Sequence, residues 1–282
     1  MKNKKFLIDV FKKASISRHF EINVFNSVKS KEIQIPVYLS AGQETISASL
    51  ATIIDKLKFK PLIFAQHRCH ATYLSFGGDI KKLLLELLED ENGCTGGLGG
   101  SASIHSKKIN MFGHDGHMGT QVPIATGACY QSKKPTIVFM GDASAEEDYV
   151  LAALGWASTK KLPILFIVED NNLSILTEKK TRRNWHMHDV AKSFKMQAFD
   201  IKDNPLEILK YKNLLFKKPL LLNINTNRLF WHSGAGVDSH DTFDRYKSLK
   251  KNLGNDGIII DENSKKKMNL LWKKTFEKQL KI

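Results

Sequence analysis

The chain has 282 residues, 42% of them hydrophobic and 26% charged, with a net charge of +14. That length allows one large α/β domain or two small ones, and the composition is that of an ordinary globular protein. No apolar run reaches the ~18–20 residues of a membrane helix, and the short apolar stretch near the N-terminus is cut by Asp9 and closed by lysines, unlike a signal peptide.

In chain order, residues 3–28 read as a helical lead-in, with Phe6, Leu7, Val10 and Phe11 apolar at helical spacing. Residues 41–57 read as a packed helix, and 60–67 as a short apolar run behind a turn. Asp79 is placed to cap a helix over 79–90. A glycine-dense stretch from residue 92 to about 121 then excludes regular structure over most of its length. Long glycine loops in compact domains are usually functional. TIVFMGD (136–142) and LPILFIVEDNN (162–172) are continuous apolar runs that end in polar residues. The helical face of 146–161 joins them, with Val150, Leu151, Leu154 and Ala157 apolar and Trp156 read as core. Together they make a βαβ unit. Residues 219–228 give a further strand, followed by a loop containing His232, Gly234, Gly236 and His240. Residues 264–282 give a helical tail, with Met268, Leu271, Trp272 and Phe276 apolar. Strands alternating with helices predict an α/β fold, a parallel sheet flanked by helices, read here as a single domain over 1–282 with its ligand at the carboxyl ends of the strands.

The three cysteines, Cys69, Cys94 and Cys129, fall in no paired spacing, which points to a reducing cytoplasm. The lysines look dispersed along the chain, and no zinc-finger, RNP or zipper pattern accompanies them, so neither nucleic acid nor a membrane is expected as a partner. The pairs His67/His70 and His114/His117 lack the further ligands of a zinc site. His105 and His240 read as loop histidines, and Glu146, Glu147 and Asp148 as residues that favour a helix N-terminus.

Both strands of the βαβ unit end in oxygen donors, Asp142 on one and Asp170-Asn171-Asn172 on the other. Neighbouring parallel strands bring such groups to one edge, where they suit a hard divalent cation. Gly141 and the small Ala143, Ser144 and Ala145 let backbone N–H groups approach an anion. On these strand ends alone, a helix cap at Asp142 and a simple turn at the asparagines explain the pattern equally well.

The spacing carries the reading further. Asn171 follows Asp142 by 29 residues, and GDASAEEDYVLAALGWASTKKLPILFIVEDNN resembles the thiamine diphosphate fingerprint of the E1 alpha subunits of 2-oxo acid dehydrogenases. AGQET (41–45), FAQHRCHA (64–71), GGLGGSASIH (96–105), GHMGTQVPIATGACY (116–130) and NRLFWHSGAGVDSHDTFDRY (227–246) resemble segments of that family in the same order. The resemblance implies a transketolase-like, thiamine diphosphate-binding fold. It also implies a Mg2+ held by Asp142, Asn171 and the backbone carbonyl of Leu173, with two diphosphate oxygens and a water completing the shell. Gly141, Ala143 and Ser144 would lie in the diphosphate cradle. Arg68 and His67 would contact the diphosphate, with His67 standing where the family has tyrosine and making that contact pH-sensitive. Gly116 and Met118 would meet the aminopyrimidine through their backbones. His232 would work beside cofactor and acyl acceptor, and His70 would join it as a catalytic residue in a supporting role. Two departures stand out, Ala143 in place of the fingerprint's third residue, glycine, and Leu98 in place of a lysine.

Read so, the chain is the alpha-type half of an enzyme that decarboxylates a 2-oxo acid and transfers the acyl group to an acceptor such as lipoyl. It would act with a beta-type partner, as α2β2, and with a lipoyl-bearing acyltransferase. A split transketolase-like transferase would share the Asp142 and Asn171 site without a lipoyl acceptor. A basic, non-catalytic binding protein on the same scaffold is supported only by the +14 charge.

Overall fold

A computed structural model describes residues 3–233 and 242–279, with the backbone alone for 278–279. Gly234, Gly236 and His240 of the expected second loop lie outside the described residues.

The chain opens with α1 (Lys4–Lys29), α2 (Glu44–Leu57), β1 (Leu62–Phe64), α3 (His70–Ser75), α4 (Ile80–Leu87) and β2 (Met111–Phe112). It continues through α5 (Gln121–Ser132), β3 (Thr136–Gly141), α6 (Asp148–Thr159) and β4 (Ile164–Asp170). A small hairpin of β5 (Leu173–Ser174) and β6 (Thr177–Glu178) follows, then α7 (Lys179–Arg182) and α8 (Met187–Ser193). The last part holds β7 (Gln197–Lys202), α9 (Pro205–Lys210), β8 (Leu220–Asn225), α10 (Arg245–Leu253) and α11 (Asn255–Gln279). Asp79 caps α4 as its sequence position predicts, accepting from the backbone N–H groups of Lys81 and Lys82.

Six strands form one parallel sheet in the order β2-β1-β3-β4-β8-β7. Every residue of β3 and β4 is buried, which is why both read as unbroken apolar runs rather than alternating ones. Ile137, Phe139, Leu165 and Ile167 face a cluster built from α1 and α2, with Phe11, Phe20, Ile46 and Leu50. Val138, Met140, Phe166 and Val168 face a second cluster with Val122, Val150 and Leu154 of α5 and α6. Covering both faces leaves only the strand ends open to a ligand.

Polar anchors tie α1 to α2, α10 and α11 around the first cluster. Arg18 reaches Asp244 at 2.8 Å and Glu44 at 2.5 Å, His19 meets Asp261 at 2.7 Å, and Trp272 donates its indole N–H to Ser27 Oγ at 3.0 Å. The closing helix begins at Asn255, nine residues before the expected 264, because the exposed Ile258 and Ile259 interrupt the apolar spacing that the sequence reading followed. Trp156, expected in the core, is 40% exposed and stands edge-on to Tyr130 of α5 at 4.7 Å. Among the described residues no helix is long and apolar enough to cross a membrane.

Eleven of the lysines, dispersed in sequence, are gathered in space. Lys58 and Lys60 lead into β1, Lys107 and Lys108 into β2, Lys133 and Lys134 into β3 and Lys160 and Lys161 into β4. Lys195 leads into β7, and Lys217 and Lys218 into β8. A parallel sheet puts all these entries on one edge, opposite the carboxyl ends. Several follow directly on helix C-termini, where a cation offsets the partial negative charge of unpaired carbonyls. Lys58, Lys133, Lys161 and Lys195 also take positive φ there, a conformation that glycine adopts with less strain. Replacing Lys58 (φ +58, exposed, C-cap of α2) by glycine should raise stability by about 0.5–1 kcal/mol, read as a higher urea midpoint with unchanged m-value.

Candidate active site

The site is built where β3 and β4 run out. Their register pairs Gly141 with Glu169, so Asp142 and Asp170-Asn171 emerge side by side at one edge. Asp142 is 1% exposed. One of its oxygens, Oδ2, accepts from Arg182 Nη2 at 2.5 Å, while Oδ1 is buried with no partner among the described residues. Burial and the neighbouring Asp170 push the Asp142 carboxyl above its ordinary range, against the pull of Arg182 and Arg68. Burial acts on Asp170 in the same sense, but hydrogen bonds from Lys179 and Asn223 outweigh it and hold that carboxyl low. Asn171, also buried, accepts the Leu173 backbone N–H at 3.1 Å and so folds the chain back at the head of β5.

Gln43, at the start of α2, joins the two sides. Its Oε1 accepts from Arg68 Nε at 3.1 Å and from Asn171 Nδ2 at 3.5 Å, and its Nε2 is buried without a partner. The sequence reading passed over Gln43 as a site residue, although the AGQET segment that contains it was the available signal. Arg68 also donates from Nη1 to His67 Nε2 at 3.0 Å. An arginine can only donate, so Nε2 is the acceptor and Nδ1 carries the ring proton. That Nδ1–H is a buried donor with no partner, the role a hydroxyl would fill if tyrosine stood there. Burial, then Arg68, His232 and His114, hold the His67 imidazole well below its usual pKa. These groups hold the ring in its neutral form at physiological pH.

The small residues follow from close approaches. A Cβ on Gly141 would stand 3.1 Å from Arg68 Nη2 and 3.4 Å from Gln66 Oε1. Ala143 sits at φ −71, so the fingerprint position needs no glycine conformation here and the alanine is unstrained. Ser144 is buried in the single turn that follows, Ser144–Glu146. Gly119 (φ +83) packs against that turn, where a Cβ would meet Ser144 O at 2.9 Å. Gly116 (φ +103) has open space around it, and its N–H donates to His114 Nδ1 at 3.0 Å. Met118 is 38% exposed, and its carbonyl accepts from the Tyr149 hydroxyl. Glu146, expected only to favour a helix N-terminus, instead receives Arg182 and Arg183.

His232 forms an isolated bridge with Tyr38, and its ring lies 5.5 Å from Tyr38 and 5.4 Å from His67. His114 stands 5.7 Å from His67 on another side, so three imidazoles and a phenol line this part of the site. Among the described residues no group of three or more His, Cys, Asp or Glu has the geometry of a metal centre. His70 is placed differently from expectation. Fully buried, it meets Glu21 Oε1 through Nδ1 at 3.1 Å and Ser101 Oγ through Nε2 at 2.9 Å. With both nitrogens engaged it has no free atom for a substrate. It supports the site instead, because Ser101 Oγ accepts the Tyr38 backbone N–H at 2.9 Å, and Tyr38 carries His232.

One side chain organises the glycine loop between α4 and β2. Glu86 Oε2 accepts from the backbone of Thr95 (2.7 Å) and Gly97 (3.1 Å), and Oε1 from Gly99 (2.8 Å) and Gly100 (3.1 Å). Leu98, at the centre of this wrap, is 93% exposed.

Orphan acceptors at Asp142 Oδ1 and Gln66 Oε1, with orphan donors at Gln43 Nε2, His67 Nδ1, Arg182 Nε and Arg183 Nη1, are the complement of a cation bound together with an anion. The donor set therefore fits Mg2+ with a diphosphate. Fold and site define a doubly covered parallel α/β protein with a cation-plus-anion site at the carboxyl edge of its sheet. Its backbone is similar to that of a transketolase variant from Pichia stipitis, with a TM-score of 0.57 over 96% of this chain and 47% of the other at 15% identity, a likeness of fold. The chain belongs to the family described as the dehydrogenase E1 component, whose profile it matches over residues 12–252.

Among its relatives is subunit alpha-1 of the mitochondrial pyruvate dehydrogenase E1 component of Oryza sativa, 27% identical over 238 residues, 80% of this chain and 60% of that protein. The corresponding Dictyostelium discoideum subunit is 31% identical over 246 residues, covering 82% and 63%. The pyruvate dehydrogenase E1 alpha subunit of Rickettsia bellii is 26% identical over 280 residues, covering 92% and 84%. The chain spans about 60% of the length of the plant relatives it matches.

Changing Glu86 to Gln should cost about 1–2 kcal/mol at neutral pH, because a neutral amide accepts more weakly and brings a donor among four N–H groups. Burial opposes ionisation of Glu86, but the bonds from the Thr95–Gly99 loop outweigh it and depress the carboxyl. A depressed folded pKa gives stability that is full above the unfolded value, near 4.3, and is lost as pH falls through the lower folded value. Denaturant titrations of the two proteins from pH 7 to pH 3 should therefore show the gap closing at the acid end.

Proposed function

We propose that the chain is the alpha-type subunit of an E1 enzyme that decarboxylates a 2-oxo acid and passes the acyl group to a lipoyl-type acceptor. In this reading it binds thiamine diphosphate with Mg2+ and works with a beta-type partner, as α2β2. The observation that carries it is the pairing of Asp142 and Asn171 at the ends of adjacent parallel strands, with orphan oxygens among several orphan donors.

Thiamine diphosphate, when bound, supplies the nucleophilic carbon and the electron sink. The chain's part is to hold and orient. Asp142, Asn171 and the Leu173 carbonyl would take the metal. Arg68 and His67 would take the diphosphate, with Gly141, Ala143 and Ser144 leaving room for its oxygens. The Gly116 and Met118 backbones would meet the aminopyrimidine. His232, supported from Tyr38, would hold a proton for the acyl acceptor. The carboxylate that must engage the aminopyrimidine would come from the partner. Pyruvate, which the relatives' names carry, is the first substrate to offer. Three free thiols, Cys69, Cys94 and Cys129, suit a reducing compartment such as the cytoplasm.

Titration calorimetry of thiamine diphosphate with Mg2+, on the chain alone and with its co-purifying partner, tests this. Binding should require Mg2+, tighten with the partner and weaken at least about 100-fold in Asp142→Ala, with circular dichroism unchanged. Wild type that binds nothing in either state, or turnover of a 2-oxo acid by the chain without a partner, refutes the reading.

A further inference from the structure

Between β4 and α8 the chain sets three cations against three carboxylates. Lys179 Nζ meets Asp170 Oδ2 at 2.5 Å, Arg182 bridges Asp142 and Glu146, and Arg183 Nε lies 3.3 Å from Glu146. The Asp142 side chain is 1% exposed and that of Arg182 13%, so this pairing is inside the site. Arg182 thus occupies one of the two oxygens that a metal ion would use.

A guanidinium and a divalent cation repel each other strongly at that range in a buried setting. A bare metal that takes the free Oδ1 therefore bears on Arg182 and drives its charge towards a weaker partner. A metal that arrives with a diphosphate brings its own anion, and a released guanidinium finds phosphate oxygens suited to its planar donor fork. Two buried donors already point to such an anion, since Arg182 Nε and Arg183 Nη1 have no hydrogen-bond partner. The segment holding them is short and well tied. Lys179 N–H donates to Asn172 O at 2.9 Å, Arg183 N–H to Lys179 O at 2.9 Å, and Arg228 Nη2 to Ile175 O at 2.6 Å.

We infer that Arg182 is a resident counter-ion of Asp142 that the metal displaces and the diphosphate receives, so that it discriminates against the bare metal and favours the metal–diphosphate pair. This rests on the cofactor reading above. Arg182 is a positioning residue, and its effect is on the coupling between two ligands.

The test uses Mn2+ as a paramagnetic probe, with the chain in complex with its co-purifying partner. Free Mn2+ is titrated by electron paramagnetic resonance, without and with thiamine diphosphate, for wild type, Arg182→Met and Arg182→Lys. Arg182→Met should bind Mn2+ alone about tenfold more tightly and the Mn2+–thiamine diphosphate pair about tenfold more weakly. Arg182→Lys, which keeps the charge with a shorter reach, should move both constants the same way by less, and it decides the matter if Arg182→Met does not fold. Constants that stay put or weaken together overturn the inference, since a merely structural role cannot tighten one and loosen the other. Wild type that fails to bind the pair would instead overturn the cofactor reading.

Discussion

A carboxylate buried to the depth of Asp142 stays ionised only if positive charge stands against it, and that constraint organises the carboxyl edge of the sheet. Desolvation favours the protonated acid, so each buried acid here has its own answer. Asp142 has Arg182, Asp170 has Lys179 with Asn223, Glu44 has Arg18, and Glu86 has four backbone amides. Glu44 still stands at about 7 despite Arg18, because burial outweighs the ion pair, and Glu169 fares no better. It accepts from Gln66 and feels Arg68, yet burial pushes its carboxyl up to about 7. These pairings settle where the connecting segments run, and with them the shape of the pocket.

The same constraint explains why the parts of the site lie so far apart in sequence. Gln43, Arg68 and Asn171 share hydrogen bonds while coming from the cap of α2, the turn before α3 and the end of β4, and Arg182 reaches Asp142 from α7. Glu21 of α1 acts further out, through His70, Ser101 and Tyr38, on the seat of His232. A polar relay of this kind lets the N-terminal helix hold a site residue that it never touches.

How much of this was legible depended on whether a signal was local. β3 and β4 were readable because strands buried on both faces need unbroken apolar runs, and their polar ends marked the edge. Asp79 was readable because a cap is a local contact. β7 was not, since QAFDIK on the sheet's edge exposes Gln197, Asp200 and Lys202 and has no apolar run. α5 hid behind its glycine-rich lead and its Pro123. Resemblance marked Asp142, Asn171 and Arg68, but nothing local marked Arg182, whose role depends on a chain reversal bringing α7 back over β3. His70 shows a related point, because a motif gives a residue's place in a family and not which of its nitrogens are already engaged. Dispersion along the chain says nothing about dispersion in space once strands run parallel.

The lysine-bearing edge has a consequence for encounter with solutes. Eleven lysines stand at the end where the strands begin, while at the other end Asp142, Asp170 and Glu146 are paired with Arg182, Arg183 and Lys179, so the sheet is electrically lopsided along the strand axis. At physiological ionic strength that asymmetry fades within about 8 Å of the surface. An anionic solute drifting in from solution is therefore drawn to the whole body but not guided to the correct end. Capture rests on collisions at the mouth and on short-range recognition inside it, so raising the salt concentration should alter the arrival of small anions far less than a charge of +14 suggests.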